Sequence, residues 1–303
     1  MGVASDSRAL GHVAVDPEAS APAAHPSTAA TLLRLYRVRD WLHFLPLPLA
    51  GWMAAGGGHV TELIGGVAGW GFGLAYTSAI NQAFDDRLDR AEVGKNPVGG
   101  RFHRSQAVRL SIPPAIASVA IVAWLSPSGL VPAIVLLLAA TLYSAPPRLK
   151  RIPGLATIWN VIIGVPGLFF AGTPEVAPGP LRLLVGLFAL LLFISQLIHE
   201  AKDHDADRAG GIPTIATLGG LNGALGAAAA FLLLLPGATW WLARGVALRA
   251  PLTIAATVFA AAWIVALTRR MLRGDASGLR AVRLRYRHTC VALGALAFLA
   301  TLL

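Results

Sequence analysis

The sequence predicts an all-α integral membrane protein with nine transmembrane helices, and three observations carry that expectation. First, 55% of its 303 residues are hydrophobic and only 13% are charged, whereas a soluble domain carries about 25% charged residues. Second, the apolar residues gather into nine stretches near the roughly 20 residues that a bilayer core demands. Third, 22 of the 25 Lys and Arg fall on alternate connections between those stretches. Length alone would allow two soluble domains, but the polar residues to cover them are missing. The apolar content also excludes extended disorder. The single cysteine, Cys290, excludes an internal disulfide framework and a metal site built from cysteines.

Taken in order, residues 1–33 are rich in Ala, Ser and Pro and lack the continuous apolar core of a signal peptide. They read as a disordered cytoplasmic tail, with 34–303 as the membrane domain. The spans fall at about 41–57, 60–84, 106–125, 129–144, 155–172, 180–200, 217–236, 250–268 and 286–303. Gly and Pro inside several of them are tolerated in a bilayer when neighbouring helices re-satisfy the backbone. With a cytoplasmic N-terminus, the far side keeps only Arg182, Arg244 and Arg249, as the positive-inside rule requires. Topology and anionic membrane lipid therefore account for the formal charge of +10, and no nucleic-acid partner is expected. A bias of 22 Arg to three Lys, with abundant Ala and Gly, points to a high-GC bacterium and hence to its inner membrane.

The carboxylates are not scattered. Of 15 Asp and Glu, four lie between Asp85 and Glu92 and four between Glu200 and Asp207, each window at the cytoplasmic end of an even-numbered span. Charge at membrane depth is costly and is retained for function. Asn81, Asp85 and Asp89 stand at i, i+4 and i+8, one face of a helix, and Glu200, Asp203 and Asp207 at i, i+3 and i+7, again one face. Asp86, Glu92 and Asp205 point off those faces and read as surface residues. Asp85 and Asp203 are 118 residues apart, as are Asp89 and Asp207, which suggests two related four-helix halves plus a ninth helix. Facing carboxylates need a cation between them. A hard divalent ion prefers oxygen, and Mg2+ combines one or two carboxylates with substrate phosphates. The pattern thus suggests a diphosphate held through metal at the membrane surface.

These residues also carry a resemblance. Asn81-Gln82-Ala83-Phe84-Asp85-Asp86-Arg87-Leu88-Asp89 resembles the N-x-x-x-D-x-x-x-D motif of the UbiA superfamily of intramembrane prenyltransferases. Asp203-His204-Asp205-Ala206-Asp207, trailed by Gly211 and Thr214, resembles that family's second D-x-x-x-D motif with its G-x-x-T. Tyr143-Ser144-Ala145-Pro146-Pro147-Arg148-Leu149-Lys150-Arg151 is similar to its Y-S-x-P-P-x-R-L-K loop, and Arg37-Val38-Arg39-Asp40-Trp41 to its R-x-R-x-W lead into the first helix. Four motifs in order span nearly the whole chain. The resemblance implies a ring of nine helices around a central cavity, with both acidic motifs across its cytoplasmic mouth. It further implies Mg2+-dependent ionisation of a polyprenyl diphosphate and transfer of the prenyl group to a lipophilic, commonly aromatic acceptor, as in quinone and lipid biosynthesis.

On that basis Asn81, Asp85, Asp89, Glu200, Asp203 and Asp207 are the expected metal ligands, with Asp85, Asp203 and Tyr143 catalytic. Lys95, Arg101, Arg148, Lys150, Lys202 and Arg208 are the expected diphosphate contacts, each with a positive-inside anchor as its alternative. Phe84, Trp159 and Tyr143 are candidates to face an allylic cation, or to pack. His199 is a candidate base or a structural hydrogen-bonding group, and Cys290 reads as packing. The sequence departs from the family pattern at Gln82, where many relatives carry Asp, and at Lys95-Asn96-Pro97, where N-R-P is usual. It departs again at Ile212-Pro213 in place of a basic pair, and at Glu200 in place of Asn or Asp. A thinner basic clamp keeps a terpene cyclase, which needs no acceptor, as the alternative reading. A transporter would carry its acids near the bilayer midplane, not at the helix ends.

Overall fold

The computed structural model describes residues 28–85, 98, 102–172, 178–274 and 278–303. Among them the chain is helical throughout, without a strand. The helices are α1 (Thr28–Leu35), α2 (Val38–Trp41), α3 (Leu47–Ala54), α4 (Val60–Asp85), α5 (Arg104–Leu125) and α6 (Leu130–Ser144). They continue as α7 (Leu155–Gly164), α8 (Pro178–Ala209), α9 (Ile215–Leu242), α10 (Arg249–Arg273) and α11 (Leu279–Ala300).

Lipid gives helices no hydrophobic reason to associate, so close packing through small residues must do it. Gly65, Gly69 and Gly73 form such a stripe on α4. A Cβ at Gly69 would overlap Val122 of α5, one at Gly65 would overlap Leu125, and one at Gly73 would lie 2.5 Å from Leu136 of α6. The contact is close enough for Ser118 Oγ to donate to Gly69 O at 2.8 Å. Two buried clusters follow the halves that the 118-residue offset suggests. One gathers Trp70, Leu74, Val122 and Leu136 from α4 to α6, with Ile163 of α7 and Phe170. The other gathers Leu191, Leu225, Leu232, Leu252, Tyr286 and Leu293 from α8 to α11.

Among the described residues six helices are long and apolar enough to cross a membrane: Val60–Asp85, Arg104–Leu125, Pro127–Ser144, Gly179–Ala209, Ile215–Leu242 and Arg249–Arg273. The nine expected spans are therefore not all realised as uniform apolar helices. The first is broken into α2, a 3-10 turn over Leu42–Phe44 and the eight-residue α3. The fifth is α7 followed by a 3-10 turn over Val165–Phe169. The ninth, α11, runs 22 residues but carries Arg280, Arg283, Arg285 and Arg287 in its first half. In contrast, α8 reaches Ala209, well past the expected end at 200, so the whole second acidic window is helical.

The expected tail, 1–33, overlaps a helix: α1 begins at Thr28 and buries Thr31 and Leu35. Gln82, fully buried, explains its placement. Its side-chain amide donates to Arg34 O at 2.9 Å and to Leu35 O, two carbonyls at the C-terminal end of α1. An Asp has no donor for them. Residues 1–27 lie outside the described residues.

Candidate active site

The end of α4 and the connection after α6 build one wall together. Asn81 and Asp85 stand one helical turn apart. Asn81 Oδ1 accepts from Ser144 Oγ at 3.2 Å and from Lys150 Nζ at 3.1 Å. The same ammonium donates to Asp85 Oδ1, so Lys150 lies where a cation bridging the two would lie. Its delivery depends on Arg148, whose φ of 60° and ψ of 61° are left-handed, a conformation costing a non-glycine residue roughly 1–2 kcal/mol. Among the described residues only Arg37 and Arg148 combine a side chain with positive φ, and both sit in motifs identified from sequence. Such strain concentrates at functional sites. Arg148 donates to Phe84 O and lies 3.9 Å from Asp85. The Tyr143 hydroxyl accepts from Asn160 Nδ2 at 3.1 Å.

The facing wall is α8. Lys202 Nζ pairs with Asp203 Oδ1, and His199 Nε2 lies 3.3 Å from Asp203 Oδ2. The His204–Asp205 pair, at 2.8 Å, lies at the cavity's edge with Asp205 79% exposed. Glu200 is buried and committed to the protein. Its Oε1 accepts from Thr157 Oγ1 at 2.5 Å and its Oε2 from the backbone N–H of Ile215 at 2.8 Å, tying α7, α8 and the start of α9 together. The trailing Gly and Thr have backbone reasons. Gly211 takes the positive φ of 63° that ends α8. Thr214 caps α9, accepting from Thr217 N at 3.1 Å.

Both walls open on a cavity of about 2140 Å³. Of the residues singled out in the sequence, Asn81, Asp85, Tyr143, Lys150, Glu200, Lys202, Asp203 and Asp207 line it. Its deeper surface is apolar, with Leu47, Leu168, Leu187, Phe188 and Leu191. Nine Lys and Arg face six carboxylates on the lining, so the cavity favours an anionic ligand.

Other expected residues are placed differently. Arg148 braces the end of α4 from outside the lining, and Arg208 is exposed at the end of α8. Phe84 and Trp159 pack away from the cavity. Arg104 lies over the Phe84 ring, and the Trp159 indole N–H donates to Ala139 O at 2.8 Å. Cys290 packs against the α8–α11 cluster, as expected, and also lines the cavity. Asp89, Lys95 and Arg101 lie outside the described residues, as do Asp86 and Glu92. Among the described residues, no three His, Cys, Asp or Glu side chains converge closely enough to hold a metal ion. Sequence reasoning missed His43, Arg283 and Arg287, which also line the cavity. The i, i+3, i+7 spacing of Arg280, Arg283 and Arg287 was the available signal.

The model of the UbiA prenyltransferase family matches residues 44–300. The chain belongs to that family. A UbiA homologue from Archaeoglobus fulgidus, solved bound to DMAPP and Mg2+, superposes with a TM-score of 0.70 at 18% identity, over 90% of this chain and 99% of that one. A digeranylgeranylglyceryl phosphate synthase gives 0.69 at 16% identity, over 90% and 98%. The apo UbiA homologue from Aeropyrum pernix K1 gives 0.65 at 18% identity, over 88% and 99%. At such identities the likeness speaks for the shared fold. A search of curated proteins finds no match to this sequence.

Proposed function

We propose that this UbiA-family chain is a Mg2+-dependent intramembrane prenyltransferase. In this reading it moves an isoprenyl group from a polyprenyl diphosphate to an aromatic or other lipophilic acceptor and releases diphosphate. The observation that carries the reading is that each carboxylate motif holds its own lysine at the mouth of one deep apolar cavity. The donor set fits a hard divalent ion, since Asn81, Asp85, Asp203 and Asp207 offer oxygens and an ammonium already lodges between the first two. The Archaeoglobus homologue solved with Mg2+ and DMAPP or GPP supports the ligand class. Bound here, Mg2+ supplies the positive charge that stabilises diphosphate as a leaving group.

The chain's own residues do the rest. Lys150 and Lys202 turn from their carboxylates to the phosphate oxygens, and the prenyl tail lies against Leu187, Phe188 and Leu191. The C1–O bond breaks with its electron pair leaving on diphosphate. The acceptor supplies the pair for the new bond to C1 and then gives up a proton. The Tyr143 ring, its hydroxyl held by Asn160, lines the cavity where an aromatic face stabilises an allylic cation, and the apolar wall keeps water from it. The charge asymmetry supports an N-terminus and a cavity mouth on the cytoplasmic face of a bacterial inner membrane.

The test is Mg2+-dependent diphosphate release by purified protein supplied with geranyl, farnesyl or geranylgeranyl diphosphate, with and without phenolic acceptors. Asp85→Asn and Asp203→Asn are each expected to lower acceptor-dependent release by about 100-fold or more. Acceptor-independent release of a hydrocarbon would replace transfer with cyclisation. No release with any donor would end the reading.

A further inference from the structure

The cavity wall carries further cations besides the two motif lysines. Arg283 lies on α11, one turn before Arg287. The side chain lines the cavity, and its Nε is completely buried without a hydrogen-bond partner. Among the described residues no carboxylate stands at ion-pair distance from it, although the charges of Asp203, Asp40, Arg37 and Arg287 all reach it. Those two acids are committed elsewhere. Asp203 is shared between Lys202 and His199, and Asp40 is 69% exposed beside Arg37. Arg287 is itself fixed, donating to Asp40 O at 2.9 Å and to the His43 ring, which places that cation next to Arg283 for good. A guanidinium on the cavity wall whose Nε–H is buried without a partner is costly unless an anion joins it.

The surroundings say what kind of anion. Below Arg283 and Arg287 the cavity face of α11 continues as Cys290, Val291, Gly294 and Phe298. This one helix therefore presents a cationic head followed by an apolar stripe that runs into the membrane. That surface fits an amphiphile with an oxyanion at one end. The two motif lysines already give the diphosphate its cations, and Arg283 is additional to them.

We propose that Arg283, with Arg287 beside it, binds an oxyanion, carboxylate or phosphate, at the head of a lipophilic ligand lying along α11. The expected source is an acid group on the second substrate; the other source of the same chemistry is the outer phosphate of the prenyl donor. The inference rests on the prenyl-transfer reading for the ligand's role, but not for the binding itself.

Binding can be measured without turnover, in lipid nanodiscs, with octyl phosphate against octanol as head-group probes and geranyl S-thiolodiphosphate with Mg2+ as a slow-ionising donor. The native chain is expected to prefer octyl phosphate at least about tenfold, the scale of one charge-assisted contact. Arg283→Gln is expected to erase the preference, and Arg283→Lys to restore part of it. If donor affinity is unchanged in Arg283→Gln and both ligands bind together, the oxyanion belongs to the second substrate. If the donor displaces octyl phosphate and weakens tenfold in Arg283→Gln, it is the donor's phosphate. A preference that survives in Arg283→Gln overturns the site. So does a native chain that binds octyl phosphate and octanol equally, an outcome independent of whether the variant folds. A native chain that ignores the donor but prefers octyl phosphate would sink the prenyl-transfer reading alone.

Discussion

Glu200 separates two roles that the sequence could not. It stands on the acidic face of α8, one turn before Asp203, and by spacing reads as a metal ligand. In the folded chain its oxygens accept from Thr157 of α7 and from the N–H of Ile215 at the start of α9. Hydrogen bonds to a charged group contribute about 1.5–3 kcal/mol each, so Glu200→Ala should cost roughly 3–6 kcal/mol. At about 2–4 °C per kcal/mol, that is a drop of some 6 °C or more in the melting temperature. Glu200→Gln is the informative partner. Its amide can keep both contacts, the carbonyl accepting from Ile215 N–H and the NH2 donating to the Thr157 hydroxyl. It should therefore keep about 2 kcal/mol of what is at stake, since neutral bonds retain about 1 kcal/mol each, and melt about 4 °C or more above the Ala variant. Thermal melts in detergent, paired with the Mg2+ concentration for half-maximal diphosphate release, decide the matter. A brace predicts a destabilised Ala variant, a partly restored Gln variant and an unchanged Mg2+ requirement in the latter. If Glu200→Gln recovers stability but needs about tenfold more Mg2+, Glu200 is a ligand and the reasoning fails.

Two further outcomes test the frame around the site. Gln82→Asp removes both donors to the end of α1 and buries a carboxylate among carbonyls. Limited proteolysis within the first 40 residues should speed up about tenfold, for a loss of roughly 1–3 kcal/mol, while the membrane domain melts as before. Unchanged cleavage would show that Gln82 does not hold α1. Gly69→Leu forces a side chain into Val122 and should lower the melting temperature by about 5 °C or more, in line with overpacking costs of about 1–3 kcal/mol; a native-like melt would mean that α4 and α5 can part without penalty.

The paired carboxylate windows were legible because charge stands out against a lipid-facing background. Asn81, Asp85, Asp203 and Asp207, which their spacing puts on one face of each helix, all line the cavity. The basic residues were less legible, because an anchor at the membrane surface and a phosphate contact look alike in sequence. Lys150 and Lys202 turn inward, Arg208 faces outward, and Arg148 is spent on a carbonyl. Nothing local to the chain separates these cases. The direction of Lys150 is set by the left-handed turn at Arg148 and by a partner 65 residues away.

Among the described residues six of the nine expected spans are uniform apolar helices, and the other three depart from that form for a reason that belongs to function. The helices α5, α9 and α10 contribute no residue to the cavity, and all three are long and apolar enough to cross a bilayer. The segments that miss that standard are the first, the fifth and the ninth of the nine expected. They supply Phe44 and Leu47, Asn160 and Leu168, and Arg283 and Arg287 to the cavity wall. A helix facing lipid on most sides must be uniformly apolar and fully hydrogen-bonded. A segment lining a polar cavity is released from both demands, so it can break at a 3-10 turn or carry arginines at membrane depth. The long apolar helices α4, α6 and α8 line the cavity as well, so weak hydropathy is a sign of the cavity wall and not a requirement for it, and α11, with four arginines in its first half, is where a ligand's charge should be sought.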